Sequence, residues 1–451
     1  MPGFYTVGPI QFHLTVLLSL FLLFSCAPGK DDTEGEDRST PYVASISPDN
    51  AATGVPTSKT ITITFSKAIP PSQVTVDTDW QCSKNIQIAF DSSYSSCLPL
   101  TSNGGDNASK VFILTPNTKG EKIPSGTKFW IKISSSIKDY YDKEMDADKT
   151  SSFTTDTQCS SVPSACSWTQ VTSVGDLTAR SGHSGLVFNK KMWLFGGTTD
   201  SSYFKETFNS DNGAWTRNTA PGWSGRGNHV SLRFKGKMWV IGGGNSTSSY
   251  DDVWSSSTGL TWENQNVTNG FSARQGHAGV VFKDQMWILG GQAGSSYLND
   301  VWSSIDGKNW GKIDNDTPMW SERYGHSAVV YDDKIWVMGG NNSNGDSKEV
   351  WYSSDGISWT QQTSSIVTWD AMKDFGAQVF DGKIWILGGN PRTNQFYTFD
   401  GTTWSGYKDA SWSVRSSLVS FRFDNYLWVV GGDNGTGGSR HMNDVWKYGK
   451  P

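Results

Sequence analysis

Beyond residue 166 the chain is written in short apolar runs cut by polar turns, and the runs recur. One unit opens with Arg180-Ser181-Gly182-His183 and the run Ser184-Gly185-Leu186-Val187-Phe188. A two-residue polar turn follows, Asn189-Lys190 here and Asp381-Gly382 farther on, which suits a tight hairpin. The return run carries Trp-x-x-Gly-Gly, and this core recurs with Trp193, Trp239, Trp287, Trp336, Trp385 and Trp428, at steps of 46, 48, 49, 49 and 43 residues. After a variable loop comes a third run, as in Asp252-Val253-Trp254, Asp300-Val301-Trp302 and Glu349-Val350-Trp351. A short turn then reaches a final Trp, for instance Trp262, Trp310 or Trp359. Each unit thus predicts four antiparallel strands, and periods of this length belong to propeller blades. The paired glycines fit a sharp bend where neighbouring sheets crowd, since Gly tolerates positive φ. The Trp residues are expected to fill the space between blades.

The sixth unit ends at Asn443-Asp444-Val445-Trp446 without its fourth strand. The missing Trp stands at the other end, as Trp168, 12 residues before Arg180; Trp262 precedes Arg274 by the same 12. The strand around Trp168 is therefore expected to complete the last sheet and close the ring, because an open ring would leave an unpaired edge. These repeats resemble kelch repeats over residues 166–451. Blade five departs, with Met372 and Phe375 where others have Arg and His, and blade six has Leu418 in the His slot. The third-to-fourth-strand hairpins, such as Ser354-Asp355-Gly356-Ile357-Ser358-Trp359, are also similar to the Asp-box of sialidases with one residue removed.

A different pattern occupies residues 42–156. Ile61, Ile63 and Phe65 alternate with Thr60, Thr62 and Thr64, a half-buried strand. Further strands are expected at Val111–Leu114 and Phe129–Ile133, with a short closing one at Ser152–Thr155. Ser47-Pro48, Gly54-Val55-Pro56 and Phe65-Ser66 resemble the opening of bacterial Ig-like domains, which implies a β-sandwich acting as a spacer. The fold class expected is all-β, an Ig-like sandwich followed by a six-bladed propeller, with residues 157–165 as a hinge.

The N-terminus is of another kind. Leu14 to Phe24 is an apolar run too short to span a bilayer as a helix, which suits the core of an export signal over residues 1–25. The junction Leu23-Phe24-Ser25-Cys26 resembles a bacterial lipobox, implying lipidation at Cys26 and a lipid-anchored place in the cell envelope; an ordinary cleaved signal is the alternative. The acidic stretch 26–41 is expected to be a flexible tether. There are five Cys, so lipidation at Cys26 leaves Cys82, Cys97, Cys159 and Cys166, an even set in an exported protein. Three pairings are open, of which the sequence-local one, Cys82–Cys97 with Cys159–Cys166, is favoured.

Composition narrows function mainly by exclusion. A net charge of −5 without a Lys/Arg block argues against a nucleic-acid surface. His183, His229, His277 and His326 occupy one slot in separate blades, which favours packing over metal binding, and no cofactor or metal is expected. Arg180, Arg226, Arg274, Arg323 and Arg415 open the inner strands; at the channel mouth they would form a positive ring suited to acidic ligands, and otherwise they pair within the framework. Trp223, Trp320, Trp369, Trp412 and Phe271 are read as wedges between blades rather than a carbohydrate platform. Galactose oxidases combine a kelch propeller with Ig-like domains, but their copper site needs a Tyr joined to a Cys, and no Cys follows Cys166. The leading expectation is a monomeric binding module that takes a protein or glycan on one propeller face, through the variable loops after each Gly pair. The alternative is a carbohydrate-active enzyme, such as a sialic-acid-processing propeller, with its site at the channel mouth.

Overall fold

The computed structural model describes residues 39–450 apart from 79–81, 91, 93, 95–96, 105–108, 117–122, 160–165, 220, 268–269, 315–318, 364–368, 408–409 and 436–439. The expected export signal and Cys26 lie outside the described residues. Residues 40–451 form one compact unit.

Its first part is a two-sheet sandwich. One sheet orders Val43–Ser47, Ile61–Phe65, Val111–Pro116 and Leu100–Gly104. The other orders Ala52–Val55, Lys149–Thr155, Lys128–Ile133 and Ile86–Ala89, its first pair parallel. The alternation in sequence becomes the core: Ile61, Ile63 and Phe65 point inward against Phe112, Phe129 and Ile131. Cys82 and Cys97 are joined, as are Cys159 and Cys166.

The second part consists of six four-stranded sheets, here blades I to VI. Their inner strands are Ser184–Phe188, Val230–Phe234, Ala278–Phe282, Ser327–Tyr331, Gly376–Phe380 and Val419–Phe423, and each lies beside its neighbours in a closed ring around one channel. The turn to the second strand has positive φ at both residues in every blade, for example Asn189 (48°) and Lys190 (60°), a conformation matched to the twist of a two-residue hairpin. In blade VI, Ser167–Val171 pairs antiparallel with His441–Gly449, Trp168 opposite Tyr448, so the outermost strand comes from the N-terminal side of the propeller.

Packing between blades falls into separate apolar clusters. Trp193 of blade I meets Trp223 and Trp262 of blade II; Trp239 of blade II meets Phe271 and Trp310 of blade III; the remaining interfaces repeat the scheme. Trp223 meets Trp262 edge-on at 4.7 Å, Phe271 meets Trp310 at 5.4 Å, and Trp412 meets Trp168 at 5.7 Å. Trp168 thereby takes the place in blade VI that Trp262 and Trp310 take in theirs. Each buried indole contributes about 5 kcal/mol before entropy, at ~200 Å² removed from water.

Candidate functional site

The five repeated arginines begin the channel-side strands, but none opens onto the channel mouth. Arg226, Arg274, Arg323 and Arg415 are 0 % exposed and Arg180 is 1 % exposed. Each donates to the carbonyl of the first Gly of its own blade's pair: Arg226 to Gly242 at 2.8 Å, Arg274 to Gly290 at 2.9 Å, Arg180 to Gly196 at 2.6 Å. Four also meet a carboxylate in or directly before the third strand of the same blade. Arg226 forks onto Asp252 at 2.5 and 2.8 Å, Arg274 onto Asp300 at 2.6 and 2.8 Å, and Arg415 onto Asp444 at 2.8 and 2.7 Å, while Arg323 reaches Glu349. In blade I the guanidinium of Arg180 lies over Phe204 and Phe208, and burial, partly offset by Glu206, holds its pKa down to about 10. With their donors consumed in place, the arginines are framework, and an acidic ligand has no access to them.

The histidines explain the Gly pairs. A Cβ on Gly242 would sit 2.9 Å from Cε1 of His277 in the next blade, and one on Gly243 would sit 2.5 Å from Cβ of His229 in its own. Both glycines have positive φ, 59° and 88°. Burial drives the pKa of His183, His277 and His326 down to about 3, with the adjacent Arg adding to the effect, and pushes His229 well below the usual range. Facing carbonyls such as Val430 beside His183 favour the charged form, yet none reaches hydrogen-bond geometry with the ring nitrogens. These rings are neutral wedges, and among the described residues no cluster of His, Cys, Asp and Glu is built to hold a metal.

The two channel mouths differ. Just before the inner strands, six left-handed residues join in a cycle of backbone hydrogen bonds. Gly182 N–H donates to Ser417 C=O, Ser417 to Asp374, Asp374 to Gly325, Gly325 to Gly276, Gly276 to Asn228 and Asn228 back to Gly182, at 2.6 to 2.9 Å. Around this mouth stand the loops that follow the Gly pairs. Tyr297 stacks on Tyr324 at 5.2 Å, and Lys373 Nζ donates to Tyr324 Oη at 2.7 Å. Asp374 joins the cycle through its main chain, and burial pushes its carboxyl up to about 6, partly offset by Lys373. Across the mouth, Arg392 meets Asp433 at 3.3 Å, and Arg440 pairs with Asp200.

His441 lies between Ser181 Oγ at 3.2 Å and Asp200 Oδ1 at 3.3 Å, the residue types of an acyl-transfer triad. Among the described residues the rest of that machinery is not assembled around them. The N–H groups of Ser181, Gly182, Gly197 and Thr198 are all spent on carbonyls, which leaves none of these four to form an oxyanion hole, and Ser181 is buried.

At the opposite mouth the sandwich covers part of the rim. Lys128 pairs with Asp332 at 3.7 Å, Ser92 donates to Asp333, and Arg422 donates to Thr127 Oγ1 at 3.3 Å. Asp381 accepts from the N–H groups of Gln158 at 2.7 Å and Cys159 at 2.9 Å, and the Gln158 amide donates to Asn425 C=O. Residues 158 and 159, expected in a hinge, are thus fixed to blade V by a buried carboxylate. Gly126 lies so close that a Cβ would be 2.4 Å from the Asp381 backbone. All these contacts fall on blades IV, V and VI. Beneath the sandwich lies a cavity of about 940 Å³ lined by the six inner strands.

Sequence reasoning located the repeated slots but missed the carboxylate partner of each Arg. A signal existed: Asp252, Asp300 and Glu349 all follow their Arg by 26 residues. The docking of the sandwich had no comparable repeat to betray it.

A ring of four-stranded blades with a framework of buried pairs and irregular loops at one mouth defines the molecule as a β-propeller scaffold. Residues 146–340 match the KLHDC2/KLHL20/DRC7 Kelch-repeats domain, residues 277–448 the DUF6242 beta propeller domain, and residues 37–155 the Bacterial Ig-like domain. The chain carries a kelch-type propeller preceded by a bacterial Ig-like domain. A solved structure titled "Structure of YjhT" is similar at 17% identity, covering 59% of this chain and 94% of that one, with a TM-score of 0.49. No curated protein matches the chain. A propeller of this kind is consistent with an interaction or binding module, and the Ig-like domain together with two disulfides suggests an extracytoplasmic protein.

Proposed function

We propose that this protein is an envelope-anchored binding module that takes a protein or glycan ligand on the propeller face bearing the loops after the Gly pairs. The asymmetry of the two mouths carries the reading. The Ig-like domain occupies turns of blades IV to VI at one mouth, whereas the other presents Tyr297, Tyr324, Lys373, Arg392 and Arg440 on a rigid ring. Aromatic rings with paired charges beside them are the composition of a binding hot spot, and loops on a rigid scaffold are the usual carriers of recognition. The burial of the five arginines leaves this loop face, rather than a cationic ring, as the source of specificity.

A lipid-free chain, Cys26→Ala, screened on a glycan array and by cross-linking to envelope proteins, tests the ligand class. Tyr324→Ala with Lys373→Ala is expected to weaken the interaction found by at least ~10-fold, as for truncation of a hot spot. Binding that is indifferent to this pair and to Arg392→Ala would remove the loop face from consideration. Turnover of a bound glycan would favour the carbohydrate-active alternative. The anchor has its own test, since Cys26→Ala is expected to move the protein from the detergent phase to the aqueous phase.

A further inference from the structure

The rim under the Ig-like domain is divided by charge. The turns of blades IV, V and VI are Asp332-Asp333, Asp381-Gly382 and Asp424-Asn425, and it is on these blades that the Ig-like domain sits. The turns of blades I, II and III are Asn189-Lys190, Lys235-Gly236 and Lys283-Asp284, and all six of these residues are exposed. Half of this mouth is therefore uncovered, and its rim carries a lysine in each blade.

Behind the rim, one level of the channel departs from the repeat. The fourth residue of the inner strand is Val187, Val281, Val330 and Val379 in four blades, but Arg233 in blade II and Arg422 in blade VI, the two blades flanking blade I. Two places earlier every inner strand has Gly, Ser or Ala, which leaves the channel open above the cations. Arg422 lines the cavity, and among the described residues its partner is a single hydroxyl, Thr127 Oγ1. The acids that line the cavity are engaged away from Arg422: both oxygens of Asp381 accept backbone N–H groups, Asp332 meets Lys128 and Lys334, and Asp333 accepts from Ser92 through Oδ2. Burial alone holds Arg422 down to about 10. A guanidinium has five donors in a planar fork, and an enclosed one without a counter-charge is costly.

We propose that the cavity binds a small carboxylate- or phosphate-bearing solute, anchored by the guanidinium of Arg422 and admitted across the uncovered rim of blades I to III. The volume of about 940 Å³ accommodates a compact organic anion rather than a folded partner, and the fork geometry of Arg matches either acid group. The site lies at the mouth opposite the loop face and stands or falls apart from it.

Thermal unfolding of the Cys26→Ala chain in malonate and in inorganic phosphate, each against chloride at equal ionic strength, tests the proposal. Near-saturating malonate or phosphate is expected to raise the midpoint by about 3–5 °C, and whichever anion acts identifies the acid group. Arg422→Gln is expected to abolish the rise. Thr127→Val, which removes the partner and leaves the cation, is expected to keep it. Should Arg422→Gln not fold, Arg422→Lys serves, with an expected loss of affinity of at least ~10-fold from the missing fork. No rise with either anion, an equal rise in Arg422→Gln, undiminished affinity in Arg422→Lys, or loss of the rise in Thr127→Val would each overturn it.

Discussion

In blade II the slot ahead of the inner strand holds Arg226, forked onto Asp252, which in turn accepts from Trp254 Nε1 at 2.8 Å. In blade V the same slot holds Met372, buried among Trp369, Phe375 and Tyr397, and the acid position holds Gln395, which accepts from Tyr397 Oη at 2.6 Å. The backbone is indifferent to the exchange. Gly340 N–H donates to Met372 C=O at 2.9 Å, as Gly197 N–H donates to Arg226 C=O at 2.8 Å. Phe375 likewise fills the place of His277 or His326, its ring against Gly339 as those rings lie against Gly242 and Gly290. The main chain of the repeat is the constant part, and the buried charges and imidazoles are fillings that vary from blade to blade: blade I keeps the Arg without a hydrogen-bonded acid, and blade VI keeps the Arg–Asp pair with Leu418 in the His slot. A buried pair is removable as a set, because desolvating two ions consumes most of what their attraction returns.

Acid breaks the comparison most strongly. With their pKa depressed, His183, His229, His277 and His326 stay neutral in the folded chain, so their contribution is full above about pH 6.5 and is lost as pH falls toward 3. Each group steepens the decline by about 1.4 kcal/mol per pH unit. Asp374, raised to about 6, acts with the opposite sign and offsets roughly one of them between about pH 6 and 4. Denaturant midpoints from pH 7 to 4 should therefore fall steeply, and His277→Phe, the blade V filling, should lower that slope by one proton; an unchanged slope would place the titration elsewhere.

Asp252→Ala comes next in size. It leaves Arg226 buried with its charge unanswered, and a loss of about 3–5 kcal/mol is expected by urea unfolding. Met372→Arg probes the converse, a guanidinium set opposite neutral Gln395, with an expected loss of about 3 kcal/mol. The smallest effect sharpens the lesson: Arg226→Met combined with Asp252→Gln installs the blade V set, and the pair should cost less than about 1.5 kcal/mol. If the double variant falls as far as Asp252→Ala alone, the two fillings are not equivalent.

The repeat made much of this legible. A Trp every 43–49 residues and a paired Gly in each unit locate the blades because the same contact is made in each blade. Absence was informative too: Asp252, Asp300, Glu349 and Asp444 stand directly before Val253, Val301, Val350 and Val445, whereas Gln395 stands before Phe396 in the blade that has Met372 in place of the Arg. What the chain does not spell out is the fate of a repeated Arg, because ligand-facing and framework arginines carry the same spacing. Docking of the Ig-like domain was hidden for a different reason. It rests on single contacts, Thr127 to Arg422 and Gln158 to Asp381, between residues more than 200 positions apart with no period to link them.

The Asp381 clamp has a mechanical consequence. Tension applied from the N-terminal side must pass the amides of Gln158 and Cys159, gripped by blade V, before it reaches Ser167–Val171. The bridge between Cys159 and Cys166 then shunts the load around the intervening residues. The strand that seals the ring is thereby shielded from a pull that would otherwise unzip it first.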